Sequence, residues 1–144
     1  MIDGWGKYGP SPQLPMIKKV YEEEYKYMSG AVTYSEGIHD DINRFAVLQF
    51  AQDPNRSALD VAHQYAREWL NLTGDDENLM AEVIVGLGTY IIRNRDYLYY
   101  KDGANNPQAD HRLKTMIEIR KHNVTIQDNY RYWLLLYRAT YESF

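Results

Sequence analysis

The sequence predicts an all-α protein, a bundle of about five helices, and three observations carry that reading. From Asp40 onward, apolar residues recur at helical spacing in one segment after another. Short polar or Gly/Pro-containing stretches separate these segments, as between neighbouring helices of a bundle. The 144 residues are 44% apolar and 25% charged, an ordinary globular balance with chain enough for a core.

Each element follows in turn. Residues 1–15, "MIDGWGKYGPSPQLP", hold three of the nine glycines and three of the five prolines and read as loop. Met16–Met28 spaces Ile17, Val20, Tyr21, Tyr25 and Met28 along one face of a helix, with charges opposite. Ser29-Gly30 stops it. Ala31–Ser35, "AVTYS", is the one convincing strand candidate. A lone strand leaves its backbone groups unpaired, so this one is expected to belong to a sheet whose other strands lie elsewhere.

The helices then begin. "DDINRFAVLQFAQ" puts Ile42, Phe45, Ala46, Gln49 and Phe50 on one face, and Asp53-Pro54 ends it. Ser57 is the expected N-cap of the next helix, with Asp60 completing a capping box. The apolar face of that helix is Leu59, Ala62, Tyr65, Ala66, Trp69 and Leu70. After a turn and new cap at Thr73–Asp76, one long helix is predicted from Glu77 to Tyr100, with Gly86 and Gly88 marking close packing or a kink. Asp110 is the expected cap of "HRLKTMIEIRKHN", and "DNYRYWLLLYRATYESF" supplies the final helix.

Composition excludes several classes. The net charge is −4 and both signs are scattered, so no basic stripe marks a nucleic-acid partner. No apolar run approaches the ~18 residues of a membrane span, and no membrane partner is expected. The absence of cysteine excludes disulfides and thiolate chemistry without fixing a compartment. No phosphate-cradling glycine loop or nucleophile elbow occurs, and no cofactor is predicted. The four histidines share no ligand spacing, so no metal site is predicted.

Fourteen tyrosines and three tryptophans are the unusual numbers. Trp69 and Trp133 fall on apolar helical faces and read as core. Tyr97, Tyr99, Tyr100, Tyr130, Tyr132, Tyr137 and Tyr141 suit interhelical packing, and the excess on the last helices also suits a homodimer interface.

The stretch "YSEGIHDDIN" concentrates Glu36, His39, Asp40 and Asp41. Two readings stand side by side. In one, Asp40 or Asp41 caps a helix and Glu36 pairs with a basic neighbour. In the other, Glu36 and Asp40 set two carboxyl groups across a strand-to-helix turn, where they contact a substrate or act on it directly. Trp5, Tyr8 and Tyr34 offer aromatic faces of the kind that stack on a sugar ring.

The string "WGKYGP…YSEGIHDDINRF…QDPNRSALDVAHQYAREW" resembles the join between a (β/α)8 barrel and a helical C-terminal domain in bacterial glycoside hydrolases of the α-glucuronidase-like kind and related uncharacterised families. Ser35-Glu36-Gly37, the acidic pair, Asn43-Arg44, the Asp53–Arg56 turn and the helix with Tyr65-Ala66-Arg67 carry the resemblance, which covers roughly residues 1–75. It implies that residues 1–38 are a barrel remnant, one helix and one strand, and that 39–144 form the helical domain. It also implies that Trp5, Tyr8, Tyr34, Glu36, His39 and Asp40 line one side of a carbohydrate site completed by an N-terminal barrel of a parent chain. Under it the chain buttresses that barrel, is inactive alone with no catalytic residue of its own, and belongs to a periplasmic or extracellular enzyme. The alternative expectation is a free-standing helical interaction or dimerisation module without enzymatic activity.

Overall fold

The computed structural model describes residues 11–32, 40–87 and 108–143, and the backbone of two short strands between them. The fold is helical. Among the described residues there are six α-helices: α1 (Leu14–Glu24), α2 (Asp41–Gln52), α3 (Ala58–Leu70), α4 (Gly74–Gly86), α5 (Ala109–His122) and α6 (Tyr130–Ser143). Helix α1 packs on α2 and α3, α3 on α4, α4 on α5 and α5 on α6, and α6 returns to α3. None of the described helices is long and apolar enough to cross a membrane.

Local chemistry sets the helix ends. Helix α1 starts at Leu14, with Pro15 in its first turn, where the missing N–H is no loss. Helix α2 ends at Asp53, held extended (φ −143°, ψ 98°) by the following Pro54. Helix α3 has the expected capping box: the Ser57 hydroxyl accepts from Asp60 N–H (3.0 Å), and the Asp60 carboxylate accepts from Ser57 N–H (2.9 Å). Asn71, left-handed at φ 55°, closes α3, and Leu72 N–H turns back to Ala66 O (3.1 Å). Asp75, Asp76 and Glu77 face the positive end of the α4 dipole.

One contiguous core threads these helices. It takes Leu14 and Tyr21 from α1, Phe50 from α2, Tyr65 from α3, Ile84 from α4 and Met116 from α5, with Tyr132 and Leu135 of α6 closing it. The rings of Tyr21 and Phe50 lie 6.0 Å apart. Helix α1 is therefore built into the bundle. The loop before it is tied down as well. Gln13 N–H donates to Asn43 Oδ1 (2.7 Å), Asn43 Nδ2 donates to Ser11 O (2.9 Å), and Lys18 reaches the Pro54 carbonyl.

Four sequence expectations need correction. The strand at Ala31–Ser35 is not found: Ala31 and Val32 lie in no strand, and Val32 is 96% exposed. Its remaining residues, Thr33–Ser35, lie outside the described ones, as does the expected domain boundary at residue 38. Among the described residues the (β/α)8 remnant thus has no strand to support it. Second, the long helix from Glu77 to Tyr100 ends at Gly86. An antiparallel hairpin follows, β1 (Ile91–Asn94) with β2 (Tyr97–Tyr100), in register Ile91 to Tyr100 and Asn94 to Tyr97. Two nearby glycines weaken the helix, and β-branched and aromatic residues favour the strands. Third, the inward face of α1 is shorter than expected: Tyr21 is buried and Ile17 packs on the core, joined by Leu14, whereas Val20 is exposed, as are Tyr25 and Met28 beyond the end of the helix. Fourth, Asp110 is no cap: α5 begins at Ala109, and the preceding Gln108 makes no side-chain cap bond.

The Ser57 hydrogen bonds hold the Asp60 carboxyl below its ordinary value. A carboxyl lowered in the fold contributes stability above its unfolded pKa, and loses it as pH falls through the folded one. Ser57→Ala is expected to lower unfolding free energy by about 1 kcal/mol at neutral pH. The gap to wild type should narrow as Asp60 is protonated in acid, and urea titrations across pH check both points.

Candidate functional site

The acidic stretch can be followed where its residues are described. Trp5, Tyr8, Tyr34, Glu36 and His39 lie outside the described residues. Asp40 occupies the N-cap position of α2 but makes no side-chain cap bond. Its Oδ1 accepts from Asn43 Nδ2, the same amide that holds Ser11. Asp41, in the first turn of α2, reaches across the bundle. Its two oxygens accept from the Tyr65 hydroxyl (3.1 Å) and from Arg131 Nε. Burial first, then Asp41, pushes the Tyr65 hydroxyl far above its ordinary pKa, so it stays a donor at any ordinary pH. Asp41 therefore joins α2 to α3 and α6, and Asp40 steadies the α2 side chain that holds the N-terminal segment.

Arg131 links this joint to an aromatic surface. Its guanidinium sits 4.5 Å from the ring centroids of both Trp69 and Tyr130. Trp69 in turn packs on Tyr65 and on Phe45. From Tyr130 the surface runs along α6. Tyr130, Trp133, Tyr137 and Tyr141 are 54%, 44%, 53% and 43% exposed. At about 100° per residue they fall within an arc of about 80° on one side of the helix. No charged side chain stands in that arc. The expectation that Trp69 and Trp133 are core is corrected here: each keeps roughly two-fifths of its surface exposed. Both still make polar contacts that fix them, with Asn129 Nδ2 donating to Trp69 O (2.6 Å) and Trp133 Nε1 donating to Gln127 O (2.7 Å). The Arg120 guanidinium, 5.4 Å from the Trp133 ring, forms one rim.

The opposite side of α6 is anchored by charge. Glu142 accepts from Arg138 Nε (2.8 Å) on its own helix and from Arg112 Nη2 (3.1 Å) on α5. All three side chains are buried, with Arg138 at 0% exposure. Burial pushes the Glu142 carboxyl up, and the Arg138 and Arg112 guanidiniums pull it back down. Arg112 packs closely on Gly86: a Cβ there would lie 3.0 Å from its Cδ and 3.1 Å from Nη1, so the arginine would have to give by a few tenths of an ångström. Midway along α6 the Tyr132 hydroxyl donates to Met116 O (2.9 Å) in the core. The aromatic face is thus carried on a helix fixed at both ends and in the middle.

Sequence reasoning marked the tyrosines of α6 but missed Arg112, Arg138 and Glu142. The available signal was the spacing of Arg138 and Glu142, four apart on one helix. Arg112 lies too far away in sequence for any spacing rule. Among the described residues no three His, Asp or Glu side chains come together in a group able to hold a metal ion.

Removing one member of a buried ion pair strands the other. Glu142→Ala is expected to cost about 3–5 kcal/mol, read from urea or thermal unfolding. Asp41→Ala leaves the buried Tyr65 hydroxyl and Arg131 without their acceptor, and is expected to cost about 1–3 kcal/mol by the same measurement.

No family model matches the chain, and no curated protein or solved structure matches it either.

Proposed function

We propose that the chain is a helical protein-interaction module that binds through the aromatic face of α6. The observation that carries this reading is the face itself: three tyrosines and a tryptophan, each about half exposed, with no charge among them. Elsewhere charge is mixed into the outward helix faces. Helix α1 sets Lys18–Glu22 and Lys19–Glu23 pairs beside exposed Met16 and Val20, and α5 carries Glu118–Lys121. Tyrosine and tryptophan enriched where lysine and glutamate are missing is the composition of a binding surface. The anchoring of α6 favours binding too, because a rigid surface loses little entropy on docking.

The resemblance of residues 1–75 to the end of a glycoside hydrolase supports a second reading. There the helical domain would buttress a barrel, and Trp5, Tyr8, Tyr34, Glu36, His39 and Asp40 would line a sugar site. The hydrogen bond from Asn43 to Asp40 and the burial of Leu14 and Tyr21 of α1 in the bundle core favour the module. They give these segments a structural purpose that needs no barrel.

A photo-crosslinking residue placed at Tyr137 and, as control, at the charged outward position Lys19 tests the module in source cells. Adducts of discrete mass from position 137, absent from position 19, are expected. Equal yields from both positions, or none from 137, would count against α6 as a binding face.

A further inference from the structure

We infer that the occupant of the α6 face is a second copy of this chain, related by a two-fold axis that sets α6 against its counterpart. This rests on the reading of α6 as a binding surface and adds the identity of the partner.

Self-docking makes a particular chemical demand. Near a two-fold axis every group meets its own copy. A lysine or a glutamate there would face a like charge. The arc from Tyr130 to Tyr141 contains neither. What it presents are phenols, and a tyrosine hydroxyl is both donor and acceptor, so it can pair with an identical hydroxyl. Tyr137 lies near the middle of the stripe and would stand closest to the axis. Arg131, the nearest cation, is already paired with Asp41 of its own chain and packed on Trp69.

The area is sufficient. Half-exposed aromatic side chains offer about 100 Å² each, so the four of α6 with neighbouring Trp69 present about 500 Å² per copy. Doubled across the axis, that reaches the ~1,000 Å² at which an interface becomes specific. An interface at that limit associates reversibly, so the dimer should form and dissociate with concentration. Charge borders the stripe without entering its arc: Arg131 lies over Tyr130 and Trp69 and Arg120 over Trp133, while each copy carries a net −4. Added salt should therefore leave the association unchanged or strengthen it by screening the mutual repulsion. A partner held by charge complementarity would show the reverse.

Sedimentation equilibrium on the purified chain, from about 1 to about 200 µM, tests this by mass action. The expected result is a mass rising from 17.0 kDa toward twice that value, with no weakening at high salt. Tyr137→Lys should hold the protein at the monomer mass with its far-UV and near-UV circular dichroism unchanged. An equal mixture of Tyr137→Lys and Tyr137→Glu should regain the dimer mass, because opposite charges then meet across the axis. A readout on the wild type alone guards against a variant that fails to fold. Nitration of Tyr137 should slow severalfold between dilute and concentrated protein, while exposed Tyr27 reacts at one rate throughout. A monomer at every concentration overturns the second copy as partner, as does a dimer that Tyr137→Lys leaves intact. If the chain is monomeric but Tyr137 still crosslinks to a different protein in cells, only the identity of the partner falls. If neither association appears, the module reading falls with it.

Discussion

The structure depends on one carboxylate held between two guanidiniums. Glu142 sits where the last turn of α6 meets α5, out of water, with Arg138 on one side and Arg112 on the other. Burying three charged groups carries a heavy desolvation cost, which their ion-pair hydrogen bonds offset in part, Arg112 Nε being buried without a hydrogen-bond partner among the described residues. The group therefore tolerates few arrangements. Arg112 passes so close to Gly86 that a Cβ there would press on its side chain. One charged joint thus fixes α4, α5 and α6 relative to one another. A purely apolar contact of the same size would stabilise as well but would permit more ways of packing.

At the other end of α6 the same principle acts with different residues. Arg131 leaves the helix, lies over Trp69 and Tyr130, and ends on Asp41. Asp41 also receives the Tyr65 hydroxyl, so α2, α3 and α6 meet at one carboxylate. The aspartate pair that makes "YSEGIHDDIN" look like chemistry is, in its described part, a pair of structural acceptors. Asp40 serves the N-terminal segment through Asn43, and Asp41 serves the bundle. Acidic residues clustered before a helix attract a catalytic reading because catalysis and helix joining make the same request of a carboxylate. Each needs an acceptor at a fixed place.

The legibility of the fold followed the range of the interactions. The capping box of α3 was readable because Ser57 and Asp60 are three residues apart and act on the same turn. The buried face of α2 was readable because its period belongs to one helix alone. The segment after Gly86 was not, because isoleucines and tyrosines spaced as in "YIIRNRDYLYY" satisfy a period of 3.6 and a period of 2 alike. Trp69 and Trp133 were placed on the right helices but on the wrong side of the surface boundary. An apolar stripe shows which residues share a face, not whether a neighbour covers that face. The Arg112–Glu142 contact spans thirty residues and is set by tertiary packing. The carbohydrate-site reading of Trp5, Tyr8, Tyr34, Glu36, His39 and Asp40 came from resemblance, and only Asp40 of that set lies among the described residues.

The two anchors and the aromatic face belong to one physical scheme. A helix that presents tyrosine and tryptophan to water gains nothing from them in the free molecule beyond partial burial, and it forgoes the solvated charges that α1 and α5 carry outward. Such a face contributes fully only when something covers it. Coverage is favourable in proportion to how little the surface must reorganise, and the fixed points at Arg131, Tyr132 and Glu142 leave α6 little to reorganise. The interior of the helix, rich in demanding polar contacts, and its exterior, free of charge, are then complementary solutions. The inside spends its specificity on holding one geometry, and the outside offers that geometry as a surface.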